Sequence, residues 1–189
     1  MSAPTRIAVL VGSLRTGSYN RKAALAMKAL APPELALEIV EIGDLPLYNE
    51  DLEGEGKTPP EAWGRFREAV RGCGGVLFFT PEYNRSVPGC LKNAIDVGSR
   101  PYGKSAWSGK PGAVVSVSPS AIGGFGANHA LRQSMVFLDV PMMQQPEAYI
   151  GGAAKLFTDS GVLASDDTKK FFMAFITAYA AWVAKNAKK

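Results

Sequence analysis

Residues 75–96 read GVLFFTPEYNRSVPGCLKNAID, and this stretch decides the fold. Residues 75–80 form a continuous apolar run with no polar alternation, the pattern of a strand buried on both faces. Both faces are covered only where helices pack above and below, so this strand belongs inside a parallel sheet. Pro81 ends the run and Pro88 opens the next pattern, so residues 81–87 are a stiffened loop between strand and helix. The segment 88–97 then reads as a helix with proline in its first turn.

Outward from this unit the same strand–loop–helix order recurs. Residues 7–11 predict a strand and 20–31, rich in Ala, Leu, Lys and Met, a helix. A strand over 37–42 exposes Glu38 and Glu41, which suits a sheet edge. Helices are expected over 60–71 and 128–138, and strands over 111–117 and, interrupted by Pro141, over 140–145. The last helix, 166–185, is capped by Asp166 or Asp167 and carries Phe172, Phe175, Ile176, Tyr179, Trp182 and Val183 at helical spacing. Five strands alternating with helices define an α/β protein. The expected architecture is the flavodoxin-like, doubly wound, five-stranded parallel sheet of order 2-1-3-4-5, with helices on both faces. A length of 189 residues with 47% hydrophobic and 20% charged residues fits one domain spanning 1–189. Residues 43–59 are the least regular and are expected to form a surface loop serving as an interface or lid element.

Composition removes several classes of function. A net charge of +4 is too small to indicate nucleic-acid binding by itself. No apolar run approaches the roughly 18 residues of a membrane span. The run at 7–11 is also shorter than the roughly 7–15 residues of a secretory core, so a cytoplasmic location is expected. Cys73 and Cys90 match no metal or redox spacing and read as reduced structural thiols. The chain has a single histidine, His129, which argues against a histidine-based metal site or a Ser-His-Asp triad. It reads as a surface or interface residue, and no metal is expected.

Open parallel sheets bind ligands beyond the carboxyl ends of their strands, here in the loops after strands 1, 3 and 4. The first loop, residues 12–20, reads GSLRTGSYN. It gathers the hydroxyls of Ser13, Thr16 and Ser18, the Asn20 amide and the Arg15 guanidinium at the start of a helix, which suits an anion. Residues 1–33 carry five basic residues (Arg6, Arg15, Arg21, Lys22 and Lys28) and no acid, a charge balance that favours the same ligand. The loop is not a P-loop, because Ser18 stands where the lysine belongs, and not a dinucleotide loop, because Leu14 replaces the middle glycine. A monophosphate held by hydroxyls and one arginine remains. The second loop offers the Tyr83 ring, the Asn84 amide and backbone groups, a set suited to a planar heterocycle. Asn93 and Asp96 behind it read as helix-packing and ion-pairing residues. In the third loop, SPSAIGGFGAN at 118–128, the Gly-Gly-x-Gly run lets backbone approach a ligand closely. The Ser116, Ser118 and Ser120 series lacks the GxSxG elbow of a serine hydrolase.

A phosphate loop, a planar-ring loop and a glycine loop together resemble a flavin mononucleotide (FMN) site. The segments GSLRTGSYN and PEYNRSVPGCLKNAID resemble those of the NAD(P)H-dependent FMN reductase family, most nearly its bacterial quinone/chromate reductases, over about residues 5–185. The resemblance implies that Ser13, Arg15, Ser18, Tyr19 and Asn20 hold the FMN phosphate. It implies that Pro81, Glu82, Tyr83, Asn84 and Arg85 line the ribityl chain and ring edge, and that Ser118, Gly123 and Gly124 close the other side. Position 85 is often Tyr in that subgroup, and Arg here puts a cation near the flavin edge or an interface. The implied activity is ping-pong: hydride passes from NADH or NADPH to flavin N5, then two electrons to a quinone, with chromate or azo compounds as further acceptors. No side chain is needed as acid or base. The implied assembly is a homodimer or homotetramer. Alternatives on the same residues are a reductase using FMN as a diffusible substrate, a flavodoxin-type electron carrier (though carriers are usually very acidic), and a nucleotide-handling enzyme without flavin. A phospho-acceptor switch would need clustered acids at strand ends, and the first strand ends with none.

Overall fold

The computed structural model describes residues 3–158 and 160–187. Its strands are β1 (Thr5–Val11), β2 (Leu35–Ile39), β3 (Gly75–Thr80), β4 (Gly112–Val117) and β5 (Ala148–Ile150). They form one five-stranded sheet in the order β2-β1-β3-β4-β5, with every neighbouring pair parallel. The helices are α1 (Tyr19–Ala29), α2 (Glu61–Arg71), α3 (Gly89–Gly98), α4 (Phe125–Phe137) and α5 (Asp166–Asn186). The strand alternation divides the core. Ile7, Val9, Leu77, Phe79, Ala113 and Val115 face α1 and α5, where Met27, Phe172, Phe175 and Tyr179 are buried. Ala8, Leu10, Val76, Phe78 and Val114 face α2, α3 and α4 and pack on Trp63, Phe66, Trp107 and Leu131. All six residues of β3 are buried, as expected of a strand covered on both faces. The Tyr179 hydroxyl reaches between β3 and β4 to the carbonyls of Val76 and Pro111, at 2.9 and 3.0 Å. Burial pushes its pKa far up, so it stays a phenol and donates.

Three expectations change. The fifth strand lies at Ala148–Ile150, not 140–145. The earlier segment contributes only an isolated bridge between Met142 and Gly112. Prolines at 141 and 146 remove ladder donors on both sides, so pairing resumes only after the second. Helix α4 begins at Phe125 rather than at 128, because its cap is supplied from another loop. The last helix is preceded by Ser165 at the cap position, with Asp166 and Asp167 inside its first turn.

Residues 43–59 are pinned by buried side chains, which is not the behaviour of a free lid. Asn93 accepts from the Tyr48 N–H at 2.8 Å and donates to the carbonyls of Leu45 and Pro46 at 3.2 and 3.1 Å. Trp63 Nε1 donates to the Pro46 carbonyl at 3.0 Å. Arg67 forms a buried ion pair with Glu53 and donates from Nε to the Val97 carbonyl at 2.8 Å. Asp96 pairs with Lys92 one helical turn away, at 2.8 Å.

Candidate functional site

The loops after β1, β3 and β4 are joined to one another at the carboxyl edge of the sheet. The Gly12 N–H donates to the Phe79 carbonyl at 2.8 Å. A Cβ on Gly12 would lie 3.0 Å from Leu91 and 3.3 Å from Pro81, so glycine lets the first and second loops touch. Asn20, in the first turn of α1, donates from Nδ2 to the Val117 carbonyl at 3.1 Å and so ties the first loop to the third. Glu82 accepts from the Ala127 N–H at 3.0 Å and ties the second loop to the third.

Within the first loop, Ser18 is the N-cap of α1 and accepts from the Arg21 N–H at 3.2 Å. Tyr19 packs against the core beneath it. Ser13 is buried, Arg15 is exposed, and neither side chain has a partner among the described residues. Asn20 Oδ1 is buried and unpaired, while its Nδ2 bond to a carbonyl fixes the amide orientation. A buried acceptor of this kind is costly unless a donor reaches it. A hydroxyl of a polyol or phosphate chain is such a donor, and a free guanidinium with a free hydroxyl beside it suits the phosphate. These residues therefore fit FMN. On the β2 side of this loop a cleft of about 430 Å³ is walled by Ser13, Arg15, Thr16, Arg21 and Glu41.

The basic N-terminal segment is less cationic than its composition suggests. Arg6 pairs with Glu38 at 2.7 Å and Arg21 with Glu41 at 2.6 Å. Hydrogen bonds from these arginines hold both carboxyls below the usual range. Lys22 lies 6.0 Å from the Phe157 ring centre, and Arg15 is left as the uncommitted cation of the loop.

The second loop is a tight hairpin. Tyr83 and Ser86 exchange both backbone hydrogen bonds, at 3.2 and 3.0 Å, so those groups are not free for a heterocycle. Asn84 and Arg85 form the tip with φ of 51° and 64°, the left-handed pair of a type I′ turn. Pro81 abuts Gly12, the Tyr83 ring is half-exposed, and the Arg85 side chain points outward, 77% exposed. Glu82 turns away from the hairpin into the first turn of α4, where the cap residue Gly124 has no side chain to offer. No signal within the sequence around 125 marks this contact, since its partner is 45 residues away.

In the third loop the glycines serve chain packing. A Cβ on Gly123 (φ 66°) would meet the Tyr149 backbone at 2.6 Å, and one on Gly124 (φ 78°) would meet Ser116 at 3.0 Å. Ser118 accepts from the Ser120 N–H at 3.2 Å in a local turn. Beside this loop, His129 Nε2 lies 2.8 Å from the Tyr149 hydroxyl, and Phe125 packs on both rings to form an exposed aromatic patch. Burial and then a hydrogen bond with Glu147 push the Tyr149 phenol up to about 12. Cys90 Sγ lies 3.6 Å from the Gly12 carbonyl, and burial raises its pKa, which keeps it a thiol. Among the described residues no cluster of three or more His, Cys, Asp or Glu side chains is placed to hold a metal ion. Among the described residues no helix is long and apolar enough to cross a membrane.

A doubly wound parallel sheet of order β2-β1-β3-β4-β5, with a hydroxyl-rich loop after β1 and a hairpin after β3, defines a flavodoxin-like α/β protein. The sequence profile of the NADPH-dependent FMN reductase family matches residues 5–155, and the chain belongs to that family. It is 70% identical over 186 residues to a quinone reductase of Pseudomonas putida, covering 98% of each chain. It is 44% identical to a 2-hydroxy-1,4-benzoquinone reductase of a Burkholderia species, covering 94% of this chain and 96% of that one. Its structure superposes with a TM-score of 0.90 on FerB, a flavoenzyme NAD(P)H:(acceptor) oxidoreductase of Paracoccus denitrificans. That match has 40% identity and covers 97% of this chain and 100% of FerB. The chain is an oxidoreductase, with FMN as its flavin and NAD(P)H as electron donor.

Proposed function

We propose that this enzyme reduces quinones at the expense of NAD(P)H, in the manner the names of its Pseudomonas and Burkholderia relatives state for those proteins. The observation that carries the site assignment is the buried, unpaired Asn20 Oδ1 beside the uncommitted Ser13 and Arg15. When bound, FMN would supply the two-electron redox chemistry between NAD(P)H and the acceptor.

The residues of the chain bind and orient. Arg15 and the Ser13 hydroxyl hold the phosphate, at the positive end of α1. Ser18 and Tyr19 fix that end of the helix, the first as cap and the second by core packing. Asn20 Oδ1 accepts from a hydroxyl of the bound chain. Pro81, Glu82, Tyr83, Asn84 and Arg85 form one wall of the ring site, with Glu82 acting by anchoring the hairpin to α4. Ser118, Gly123 and Gly124 form the opposite wall, where the glycines let the third loop lie flat against β5. Donor and acceptor use this site in turn, a ping-pong order, and no side-chain acid or base is assigned. Chromate and azo compounds belong to the same proposal as secondary acceptors, as do a single domain over 1–189, a cytoplasmic location and a homodimeric or homotetrameric assembly.

The purified protein's visible spectrum, recorded before and after anaerobic addition of NADH and of NADPH, tests this reading. The expected result is a yellow protein bleached by reduced nicotinamide and recoloured by a quinone. A colourless protein that turns over added FMN makes FMN a substrate instead. A protein that neither binds FMN nor oxidises NAD(P)H overturns the assignment.

A further inference from the structure

Arg85 is a costly choice of residue where it stands. It is the second tip residue of a two-residue hairpin, with φ of 64°, a position that favours glycine. A side chain there strains the backbone, and a long one earns nothing by packing, because this one is 77% exposed. Its nearest acid is Glu82, at 3.6 Å, which is beyond hydrogen-bonding distance. The other Glu82 oxygen is taken by the Ala127 N–H. The guanidinium is thus loosely ion-paired with Glu82 across solvent, and none of its donors is used in a hydrogen bond to the protein. The backbone that carries them is nevertheless held firmly, by the Tyr83–Ser86 pairing and by Gly126. A Cβ on Gly126 would stand 2.8 Å from the Arg85 carbonyl, so glycine there lets the hairpin tip seat on α4. The result is an exposed, planar cation carried on a firmly held backbone at the rim of the ring site, one residue from the exposed Asn84 and two from the half-exposed Tyr83 ring.

From this we infer that Arg85 selects acceptors, and that the preferred acceptors are quinones carrying an anionic substituent such as a sulfonate, a carboxylate or an ionised hydroxyl. The inference rests on the quinone-reductase reading above. Arginine suits such a partner because its fork recognises planar oxyanions and it never deprotonates in the working range. The reaction balances without involving the arginine. NAD(P)H gives up a hydride and becomes NAD(P)+. The hydride and one solvent proton convert the two quinone carbonyls to hydroxyls, and the anionic substituent keeps its charge throughout. Arg85 touches only that substituent, steering and orienting it.

The test compares 1,4-naphthoquinone-2-sulfonate with uncharged 2-methyl-1,4-naphthoquinone, with rates normalised to bound flavin measured from the visible spectrum. The quantity read is the ratio of kcat/KM for the sulfonated quinone to that for the neutral one. In Arg85→Gln this ratio is expected to fall about tenfold, and in Arg85→Glu further, while Arg85→Lys, which keeps the charge but not the fork, restores only part of it. Raising the ionic strength should lower the wild-type ratio toward that of Arg85→Gln, because an exposed charge is screened within about 10 Å at 0.1 M salt. Arg85→Gly, which relieves the left-handed strain, should melt at a higher temperature than wild type and still lose the preference, separating charge from folding. A ratio unchanged within twofold in Arg85→Gln and Arg85→Glu overturns the inference. So does a loss that follows NADPH against NADH and ignores the acceptor, which would make Arg85 a donor-site residue. If the wild type oxidises NAD(P)H with neither quinone, the quinone reading itself fails and there is no ratio to compare.

Discussion

Replacing Glu82 by alanine tests whether the hairpin and α4 are one mechanical unit. The Glu82 carboxylate is 14% exposed and accepts from Ala127, the third residue of α4, at 3.0 Å. The helix has no cap of its own, since Gly124 at that position lacks a side chain. Losing a capping acceptor costs about 1 kcal/mol. Removing an anion from a partly buried helix N-terminus costs up to about 1 kcal/mol more. Glu82→Ala should therefore lose about 2 kcal/mol, which in a chain of this size lowers Tm by roughly 4–8 °C. Glu82→Gln keeps an acceptor but not the charge, and should lose about half as much. Because the carboxylate anchors the Tyr83–Ser86 hairpin, FMN affinity should fall in the same order, Gln before Ala. The assays are denaturant midpoints of the flavin-free protein and fluorescence titration with FMN. An alanine variant within about 0.3 kcal/mol of wild type, or one that loses FMN affinity without stability, would refute the shared-anchor argument.

Asn93→Ala removes three hydrogen bonds to residues 45–48 and should cost about 2–3 kcal/mol, with limited proteolysis opening first within 43–59; an unchanged cleavage map there counts against it. Gly98→Ala places a Cβ 2.5 Å from the Trp107 ring, which is held by its own bond to the Ile95 carbonyl at 2.9 Å. Overpacking of about 1–3 kcal/mol should outweigh the roughly 1 kcal/mol of helix propensity gained, so a variant that melts higher than wild type contradicts the packing described. Glu38 and Glu41 have folded pKa values below their ordinary 4.5, so the unfolded chain takes up these protons first as pH falls. Their stabilisation is present above about pH 4.5 and drains below it, and it is small because both pairs are solvent-exposed. The Glu38→Gln, Glu41→Gln double variant should show a shallower loss of denaturant midpoint between about pH 5 and 3; an equal slope shows the pairs do not matter.

The frame of this protein is local and so was open to reading. The apolar run of β3 and the odd–even division of Ile7–Val11 carry their burial in their own order. Where one element's signal depends on a distant partner, the local sequence carries no mark of it. The start of α4 is hidden because its capping group comes from Glu82 and because Gly126 and the Gly123–Gly124 pair resemble loop rather than helix. The fifth strand is displaced because Pro141 and Pro146 break a β-like composition that otherwise begins at Val140.

The site shows the same limit in chemical form. Sequence gathers residue types into a loop but is silent on which of them neutralise one another. The basic segment 1–33 suggested a cationic field, yet Arg6 and Arg21 are spent on Glu38 and Glu41 from the neighbouring acidic stretch. The glycines of the third loop suggested close approach to a ligand, yet the space their missing Cβ atoms leave is filled by Tyr149 and Ser116. The backbone of the second loop suggested hydrogen bonds to a ring, yet Tyr83 and Ser86 use theirs on each other. Subtracting these internal partnerships leaves a short set, Ser13, Arg15 and the Oδ1 of Asn20, with the exposed Arg85 guanidinium held only by a loose ion pair to Glu82. A folded chain that leaves a buried acceptor and a cation without partners at one edge of its sheet has room there for a ligand to supply them. Their chemistry suits the anionic polyol chain proposed to bind there.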